Sequence, residues 1–227
     1  DKGYTAATII QDSPIVLDAG DNGKWMPENF ENKFYGDTVF RSALIHSRNI
    51  PTIKIVQDIE VDYLVEYSKR IGLPDKFNHD LSISLGSSTA SLLDLAKAYA
   101  VFPRGGRRVK PIFIYKVLDR DGKTLEENAP TATQPPLNPN LAPPARAVLI
   151  AGELKAESDA GKAEPRGTWT PDPSDADRVM DPRTAYIMTH IMNEVTTMGT
   201  GHGAKALGRT AAGKTGTTND YLDAWFM

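Results

Sequence analysis

Ten of the sixteen prolines in this 227-residue chain lie between Pro130 and Pro182. Proline lacks a backbone N–H and clashes with the preceding helical turn, so helix interiors and central strands exclude it. The segment from about 128 to 181 is therefore predicted to be an irregular insertion, with one short helix near 145–154. The regular fold must then be built from the residues on either side of this insertion.

Apolar residues recur at helical spacing before the insertion. A helix is predicted from about residue 38, and it should end near 47–49 because Pro51 follows. An apolar face continues beyond Pro51. Further helices are predicted over 62–71 and, after a Ser/Thr-rich cap, over 92–99.

Strand signals are fewer. Residues 1–37 are rich in turn formers and are predicted to be mostly loop. Residues 109–118 alternate in polarity as a strand does, and the Asp-Gly pair at 121–122 is typical of a hairpin turn. Near the end of the sequence, 209–217 and 224–227 resemble two strands of an antiparallel hairpin.

A last helix is predicted after the insertion. Asp181 and Pro182 have the order of an N-cap and a first helical residue. The apolar face of this helix is formed by Ile187, Met188, Ile191, Met192 and Val195. The glycine-rich stretch GTGHG follows, and its glycines are expected to permit a tight approach into the strand after it rather than to bind a dinucleotide.

The composition argues against several kinds of site. No cysteine is present, which removes thiol nucleophiles, disulfides and cysteine-ligated zinc. The four histidines show no metal-ligand spacing, so no metal and no cofactor are predicted. The net charge of −3 argues against a nucleic-acid partner, which usually needs a basic face.

Residues 208–215 match the phosphate-loop pattern G-x-x-x-x-G-K-[ST], in which backbone amides cradle phosphates and the lysine reaches the terminal ones. That motif needs a buried strand before it and a helix after it. The preceding GTGHGAKAL is a poor strand, and Gly216, Asn219 and Asp220 would interrupt a helix. A nucleotide-binding P-loop is therefore kept only as a remote alternative.

The same lysine belongs to a K-T-G triplet, Lys214-Thr215-Gly216, which is one of three motifs in serine enzymes that transfer acyl groups. A second motif, S-x-N, is matched by Ser47-Arg48-Asn49 at the predicted end of a helix. So short a match is weak by itself, because Ser47 and Asn49 could simply be helix-terminus residues. The stretches around the triplets are more specific.

Four such stretches occur in the order WMPENF, FYGDTVFRSALIHSRNIPTIKIVQDI, SLGSSTASLLDLAKAYAVF and AAGKTGTTNDYLDAWF. Together they resemble the transpeptidase domain of class A (bifunctional) penicillin-binding proteins, over nearly the whole chain except 128–181. The resemblance implies an α+β fold of the β-lactamase/transpeptidase type, with helices packed on an antiparallel sheet. It identifies 1–227 as a partial domain, incomplete at both ends. Glu60 departs from the family, which commonly has glycine there.

The resemblance assigns catalytic roles to three residues. Ser47 would relay a proton between an attacking serine and the leaving nitrogen of the substrate. Ser47 would be tied to Lys214 by a hydrogen bond, and Lys214 would add positive charge beside the terminal carboxylate of the substrate. Asn49 would donate its amide to the substrate's acyl-side carbonyl and steady the lysine of a third motif. Arg48 is expected to face outward.

Three more residues are assigned to substrate binding. Thr215 and Thr217 would hold the terminal carboxylate of the substrate, and the Thr217 N–H would stabilise the developing negative charge. Gly216 would leave the strand edge open, so that the substrate can lie along it as an extra strand.

The third motif, S-x-x-K, supplies the attacking serine and the lysine that activates it. No serine or threonine in the chain has lysine three residues later. The chain is therefore expected to be a fragment of a peptidoglycan D,D-transpeptidase, inactive by itself. A non-catalytic scaffold of the same fold is the alternative.

Some expectations follow only from the resemblance. The parent would transfer an acyl group from the D-Ala-D-Ala stem peptides of peptidoglycan, and β-lactam antibiotics would acylate the same serine. It would be membrane-anchored at the periplasmic, extracytoplasmic face of the bacterial inner membrane, together with a glycosyltransferase domain.

Overall fold

The computed structural model describes residues 2–18, 23–74, 76–128, 169–170, 172–217 and 224–227. The chain divides into two compact units, one made of Asp1–Lys110 with Trp169–Met227 and the other of Pro111–Thr168. None of the helices among the described residues combines the length and the apolar character that a bilayer crossing requires.

The first unit opens with short strands that the sequence analysis missed. β1 (Ile9–Asp12) pairs antiparallel with β4 (Gly36–Val39), and β2 (Leu17–Asp18) pairs with β3 (Lys24–Trp25). The prediction of a mostly looped opening segment is therefore wrong for these residues. β1 buries alternate side chains, but one of them is the polar Asp12, so the strand shows no apolar alternation.

Five α-helices are present in the described residues, and the helices predicted from apolar spacing are confirmed. They are α1 (Phe40–Ile45), α2 (Asn49–Ile59), α3 (Val61–Arg70), α4 (Leu92–Ala100) and α5 (Pro182–Thr197). Pro51 lies in the first turn of α2, where a backbone N–H would have no helical partner. The predicted break near 47–49 is the short connection between α1 and α2.

The core of the first unit is formed by apolar helix faces. Ile50 and Ile53 of α2 are 0% exposed, and Val195 of α5 is 0% exposed. Burying an aliphatic side chain of this size contributes about 1.5–3 kcal/mol. α1 contacts both α2 and α5, and this packing fixes the position of the C-terminal end of α1.

α5 begins as the sequence predicts. The Asp181 carboxylate accepts the backbone N–H of Arg183 at 2.8 Å, and Pro182 occupies the first turn. Hydrogen bonds from the Arg183 side chain lower the pKa of Asp181. Further along α5, the Glu194 carboxylate is 5% exposed and accepts two hydrogen bonds from Arg41 of α1. This ion pair ties α1 to α5.

The C-terminal part of the predicted insertion packs within the first unit. The Asp175 carboxylate accepts two hydrogen bonds of 2.5 Å from Arg107, and a third of 3.0 Å from Arg178. The backbone approaches closely beside them, since a Cβ on Gly106 would lie 2.1 Å from the Met180 carbonyl oxygen. Residues 172–181 are thereby held next to the start of α5.

The second unit contains a hairpin. β5 (Lys116–Leu118) pairs antiparallel with β6 (Thr124–Glu127), so the predicted strand is confirmed only for its last three residues. The Asp119 carboxylate closes the turn by accepting two backbone N–H groups at 2.9 and 2.8 Å, and the predicted Asp-Gly turn is confirmed. The helix predicted near 145–154 lies outside the described residues.

The final elements are β7 (Thr215–Thr217) and β8 (Ala224–Phe226), which pair antiparallel. The predicted hairpin is confirmed, but its first strand, predicted over 209–217, is confirmed only for its last three residues. Helices and short antiparallel strands together confirm the α+β class. The described strands form four two-stranded sheets rather than one continuous sheet.

The junction between α2 and α3 carries backbone strain. Glu60 has φ 73° and ψ 142°, a conformation close to one that is populated almost only by glycine. We expect Glu60→Gly to raise the free energy of unfolding by about 1 kcal/mol, because strain of about 1–3 kcal/mol is relieved and a smaller entropy cost is added. Urea unfolding measures the change.

Glu60→Ala is the matched control for this prediction. Alanine also removes the carboxylate but keeps the Cβ that causes the strain, so it should not stabilise the chain. An equal gain in both variants would show that the carboxylate, and not the backbone conformation, is responsible.

Candidate active site

Ser47 lies immediately after α1 in a closed backbone turn. Its N–H donates to the Leu44 carbonyl at 3.2 Å, and the N–H of Arg48 donates to the Ala43 carbonyl at 2.9 Å. This pair of bonds is the Schellman motif, in which the residue after the helix cap takes the left-handed conformation that glycine prefers. Ser47 takes it with φ 55°, at a cost of about 1–2 kcal/mol. The turn therefore holds a serine hydroxyl at a position where the backbone conformation alone would favour glycine.

Lys214 is fixed by the hairpin at the other end of the chain. Its backbone N–H donates to the Met227 carbonyl at 2.8 Å, and the Met227 N–H donates back at 3.1 Å, which extends the β7–β8 pairing by one residue pair. The Lys214 side chain is half-buried, and burial lowers the pKa of its ammonium.

The two triplets meet through one contact. Lys214 Nζ donates to Ser47 Oγ at 2.7 Å and to the Thr215 carbonyl at 3.0 Å. A hydroxyl and an ammonium of lowered pKa in direct hydrogen bond can exchange a proton and can place positive charge beside a reacting group. The structure therefore brings together Ser47 and the K-T-G strand from residues that are 167 positions apart.

The strand β7 presents the substrate-binding residues that the sequence singled out. Gly216 and Thr217 are exposed, and a Cβ on Gly216 would meet no atom within 4 Å. The Thr215 hydroxyl lies 2.6 Å from the hydroxyl of Thr200, which follows α5. Gly216 thus has no packing reason for being glycine in the described residues.

Gly213 shows the opposite situation. A Cβ there would lie 2.4 Å from the Met227 carbonyl oxygen and 2.5 Å from Cζ of Phe226. Its N–H donates to the Met192 carbonyl of α5 at 3.1 Å. The glycine before Lys214 is therefore required for the close approach of Phe226 and Met227.

The GTGHG stretch contacts both the end of α1, which precedes Ser47, and the strand β7. A Cβ on Gly199 would lie 2.3 Å from the Ile45 carbonyl oxygen, at the end of α1. The Thr200 N–H reaches the same carbonyl at 3.4 Å, while the Thr200 hydroxyl contacts Thr215. The tight approach of Gly199 is to the end of α1 and not, as the sequence predicted, to the strand, and a Cβ on Gly203 would meet no atom within 4 Å. Sequence reasoning also missed Thr200, which lies within a loop of small residues and carries no motif of its own.

Asn49 is the first residue of α2. Its side-chain amide donates to the Glu28 carbonyl at 2.8 Å, and its backbone N–H donates to Asn29 Oδ1 at 2.9 Å. The structure therefore places Asn49 two residues after Ser47 with its amide on a protein carbonyl. Its predicted role as a donor to substrate stays a prediction.

The prediction that Arg48 faces outward is wrong. Its side chain is 14% exposed, and its guanidinium carbon lies 3.4 Å from the centroid of the Tyr35 ring. It also pairs with Glu31 at 3.3 Å. Hydrogen bonds, first from the Tyr35 hydroxyl and then from Arg48, lower the pKa of the Glu31 carboxyl. A guanidinium is planar and stacks well on an aromatic face, which no local sequence pattern reveals.

The P-loop alternative does not fit this geometry. A 3₁₀ helix, His202–Leu207, comes before residues 208–215, and the strand β7 follows, which is not the strand–loop–helix order that the motif requires. Lys214 is directed to Ser47 rather than to a cradle of backbone amides. Among the described residues, no group of three or more histidines and carboxylates is placed to hold a metal ion.

Comparison with known families adds independent findings. The family model described as the penicillin binding protein transpeptidase domain matches residues 2–224. Penicillin-binding protein 1A of Pseudomonas aeruginosa is 36% identical over 241 residues, and Penicillin-binding protein 1A of Neisseria gonorrhoeae is 38% identical over 230 residues. Both comparisons cover 100% of this chain, but it spans only 29% of the first relative and 24% of the second.

Solved structures are similar in fold. The crystal structure of Penicillin-Binding Protein 1A from Haemophilus influenzae matches with a TM-score of 0.75 and 27% identity, covering 99% of this chain and 33% of that one. The imipenem acyl-enzyme complex of penicillin-binding protein A from M. tuberculosis matches with a TM-score of 0.67 and 16% identity, covering 99% and 46% of the two chains. At the lower identity the similarity concerns the fold alone.

Proposed function

The chain belongs to the family of penicillin-binding protein transpeptidase domains, and on that premise we propose that it forms two walls of a serine D,D-transpeptidase site. One observation supports the proposal above all others. The hydroxyl of the S-x-N motif accepts a hydrogen bond of 2.7 Å from the lysine of the K-T-G motif. If Ser47 were only a helix-terminus residue and Lys214 only a solvent-exposed strand residue, there would be no reason for the two side chains to contact each other.

In the proposed reaction, an attacking serine opens the D-Ala-D-Ala amide bond, and the terminal D-Ala leaves. Ser47 passes a proton toward the leaving nitrogen, and the Lys214 ammonium keeps positive charge next to this relay. Asn49 donates to the substrate's carbonyl group after releasing the Glu28 carbonyl. The acyl group is then transferred to an amine of a neighbouring stem peptide.

The edge of β7 is proposed to bind the substrate backbone. Gly216 leaves space beside the strand, so an extended peptide can add to its edge. Thr215 and Thr217 hold the terminal carboxylate through their hydroxyls, and the Thr217 N–H donates to the oxygen that becomes negative.

The attacking serine is proposed to come from an S-x-x-K segment outside these 227 residues. We use "full-length protein" for this chain together with that segment. By itself the chain would be inactive. From the family we also propose that the full-length protein is membrane-anchored on the periplasmic side of the inner membrane, carries a glycosyltransferase domain and binds β-lactams.

Labelling with a fluorescent penicillin tests this function. The full-length protein should form one covalent adduct, and a D-Ala-D-Ala stem peptide should release free D-Ala. A non-catalytic scaffold of the same fold would form no adduct with penicillin and would release no D-Ala. A full-length protein that contains S-x-x-K, is folded, and yet forms no adduct would contradict the proposed function.

Gly216 gives a sharper prediction for the substrate-binding edge. We expect Gly216→Ala to slow acylation of the full-length protein by penicillin about 10- to 100-fold, because a methyl group displaces the ligand from the strand edge. Thermal unfolding should be nearly unchanged, since no atom lies within 4 Å of the new Cβ. Acylation rate and unfolding temperature are measured on the same preparation.

Gly213→Ala is the matched substitution, two residues before β7. Its Cβ would lie 2.4 Å from a backbone carbonyl oxygen, so this variant should lower the unfolding temperature. A Gly216→Ala protein that is acylated at the normal rate would show that the ligand does not lie along this edge.

A further inference from the structure

Two buried polar side chains, Asp12 and the asparagine of the WMPENF stretch, form a pair next to the S-x-N segment. Asp12, at the end of β1, is 1% exposed, and Asn29 is 2% exposed. The amide nitrogen of Asn29 lies 2.9 Å from each carboxylate oxygen of Asp12 and 2.7 Å from the Lys33 carbonyl. Buried polar groups are costly unless they are hydrogen-bonded, and each polar side-chain atom of this pair has at least one hydrogen-bond partner.

The surroundings leave only one orientation for the Asn29 amide. Its nitrogen faces the Asp12 carboxylate and a carbonyl, which are both acceptors. Its oxygen accepts the backbone N–H groups of Asn49 at 2.9 Å and Ile50 at 3.2 Å. A flipped amide would place acceptor against acceptor and donor against donor.

The N–H groups that Asn29 satisfies are the free donors at the start of α2. The residue in the N-cap position is Arg48, whose side chain has no acceptor and makes no cap hydrogen bond. The cap of α2 therefore comes from a residue twenty positions earlier in the chain. The neighbouring Glu28 carbonyl holds the Asn49 side chain as well.

We propose that the Asp12–Asn29 pair is a positioning device for the S-x-N motif, an inference that rests on the proposed function. Asp12 orients the Asn29 amide, and Asn29 fixes the backbone of Asn49. Because only Arg48 separates Asn49 from Ser47, the placement of the Ser47 hydroxyl against Lys214 depends on the same anchor. The carboxylate also polarises the amide and strengthens its oxygen as an acceptor.

The test uses single and double exchanges of the two side chains in the full-length protein. Asn29→Asp places a carboxylate against the Asp12 carboxylate, and Asp12→Asn places an amide against an amide. Each single variant should lower the acylation rate constant at saturating β-lactam by about 10- to 100-fold per titrated site, since displacements near 1 Å at a reacting centre have such effects. The double variant restores a carboxylate–amide pair, but the carboxylate at position 29 cannot donate to the Lys33 carbonyl, so this variant should recover part of the rate.

Thr38→Val is the control for general destabilisation. Thr38 is 8% exposed in β4, and its hydroxyl donates to the Gly36 carbonyl at 3.2 Å, a hydrogen bond that involves no residue of α2. This variant should lower the unfolding temperature and leave the acylation rate per titrated site unchanged. The acylation rate per titrated site thus distinguishes a positioning role from a purely structural one, because only the Asp12 and Asn29 variants should change it.

Amide hydrogen exchange on the 227-residue chain is a second readout, independent of catalysis. In Asp12→Asn the amides of Asn49 and Ile50 should exchange faster, while those in α5 should not. Wild-type acylation rates in both single variants, or no recovery in the double variant, would overturn the inference. Failure of the wild-type full-length protein to react with penicillin would instead overturn the proposed function.

Discussion

Lys214→Met in the full-length protein is expected to slow acylation by a β-lactam about 10²–10³-fold, the loss typical of removing one preorganised donor at a developing charge. Methionine fits the space of the lysine stem but cannot donate to Ser47, which lies 2.7 Å from the ammonium in the structure. The backbone pairing of residue 214 with Met227 does not involve the side chain, so the hairpin should persist. Stopped-flow acylation at saturating β-lactam measures the effect.

The pH dependence of the same reaction provides a second measurement. Burial lowers the pKa of Lys214, so the folded protein loses this ammonium at a lower pH than an ordinary lysine would. Acylation that depends on the charge should therefore decline on the alkaline side below the usual pKa of lysine. In Lys214→Arg, which stays charged, the decline should move to higher pH even though the maximal rate is lower.

The sign of the linked stability change follows from the same shift. Between the lowered pKa of folded Lys214 and the ordinary value, the unfolded chain binds more protons than the folded chain. The free energy of unfolding therefore rises with pH across this window through Lys214 alone, and Lys214→Met should abolish that contribution. A methionine variant with an unchanged acylation rate would contradict the assigned role.

The second large effect is a complete loss of reaction. The 227-residue chain alone should form no covalent adduct with a fluorescent penicillin, because none of its serines or threonines has lysine three residues later. The full-length protein should be labelled under the same conditions. Intact-mass measurement detects the adduct, and peptide mapping locates it.

Serine-to-alanine substitutions make this comparison specific. In the full-length protein, replacing the serine of S-x-x-K should abolish the adduct. Ser47→Ala should slow its formation without moving it to another residue. An adduct on the 227-residue chain itself would show that a residue of this chain is the nucleophile and that the motif assignment is wrong.

Local sequence patterns were sufficient for much of the helical structure. The apolar spacing in α3, α4 and α5 is formed by residues three and four positions apart, so neighbours in sequence decide the helix and its buried face. The Asp181 cap is equally local. The β1–β4 and β2–β3 pairs were missed because the strands are two to four residues long and pair across intervening chain.

Some features of the candidate site could likewise be predicted from local sequence, and others could not. The sequence by itself determined which chemical groups are available, since the S-x-N and K-T-G triplets and the stretches around them are readable one segment at a time. The resemblance implied a hydrogen bond between Ser47 and Lys214, but no local pattern encodes it, and the tertiary structure forms it. Only the tertiary structure decided that Arg48 stacks on Tyr35 and that Asn29 caps α2. Each of these contacts joins residues far apart in the chain, and its geometry depends on how helices pack and how buried polar groups are satisfied, which no single segment encodes.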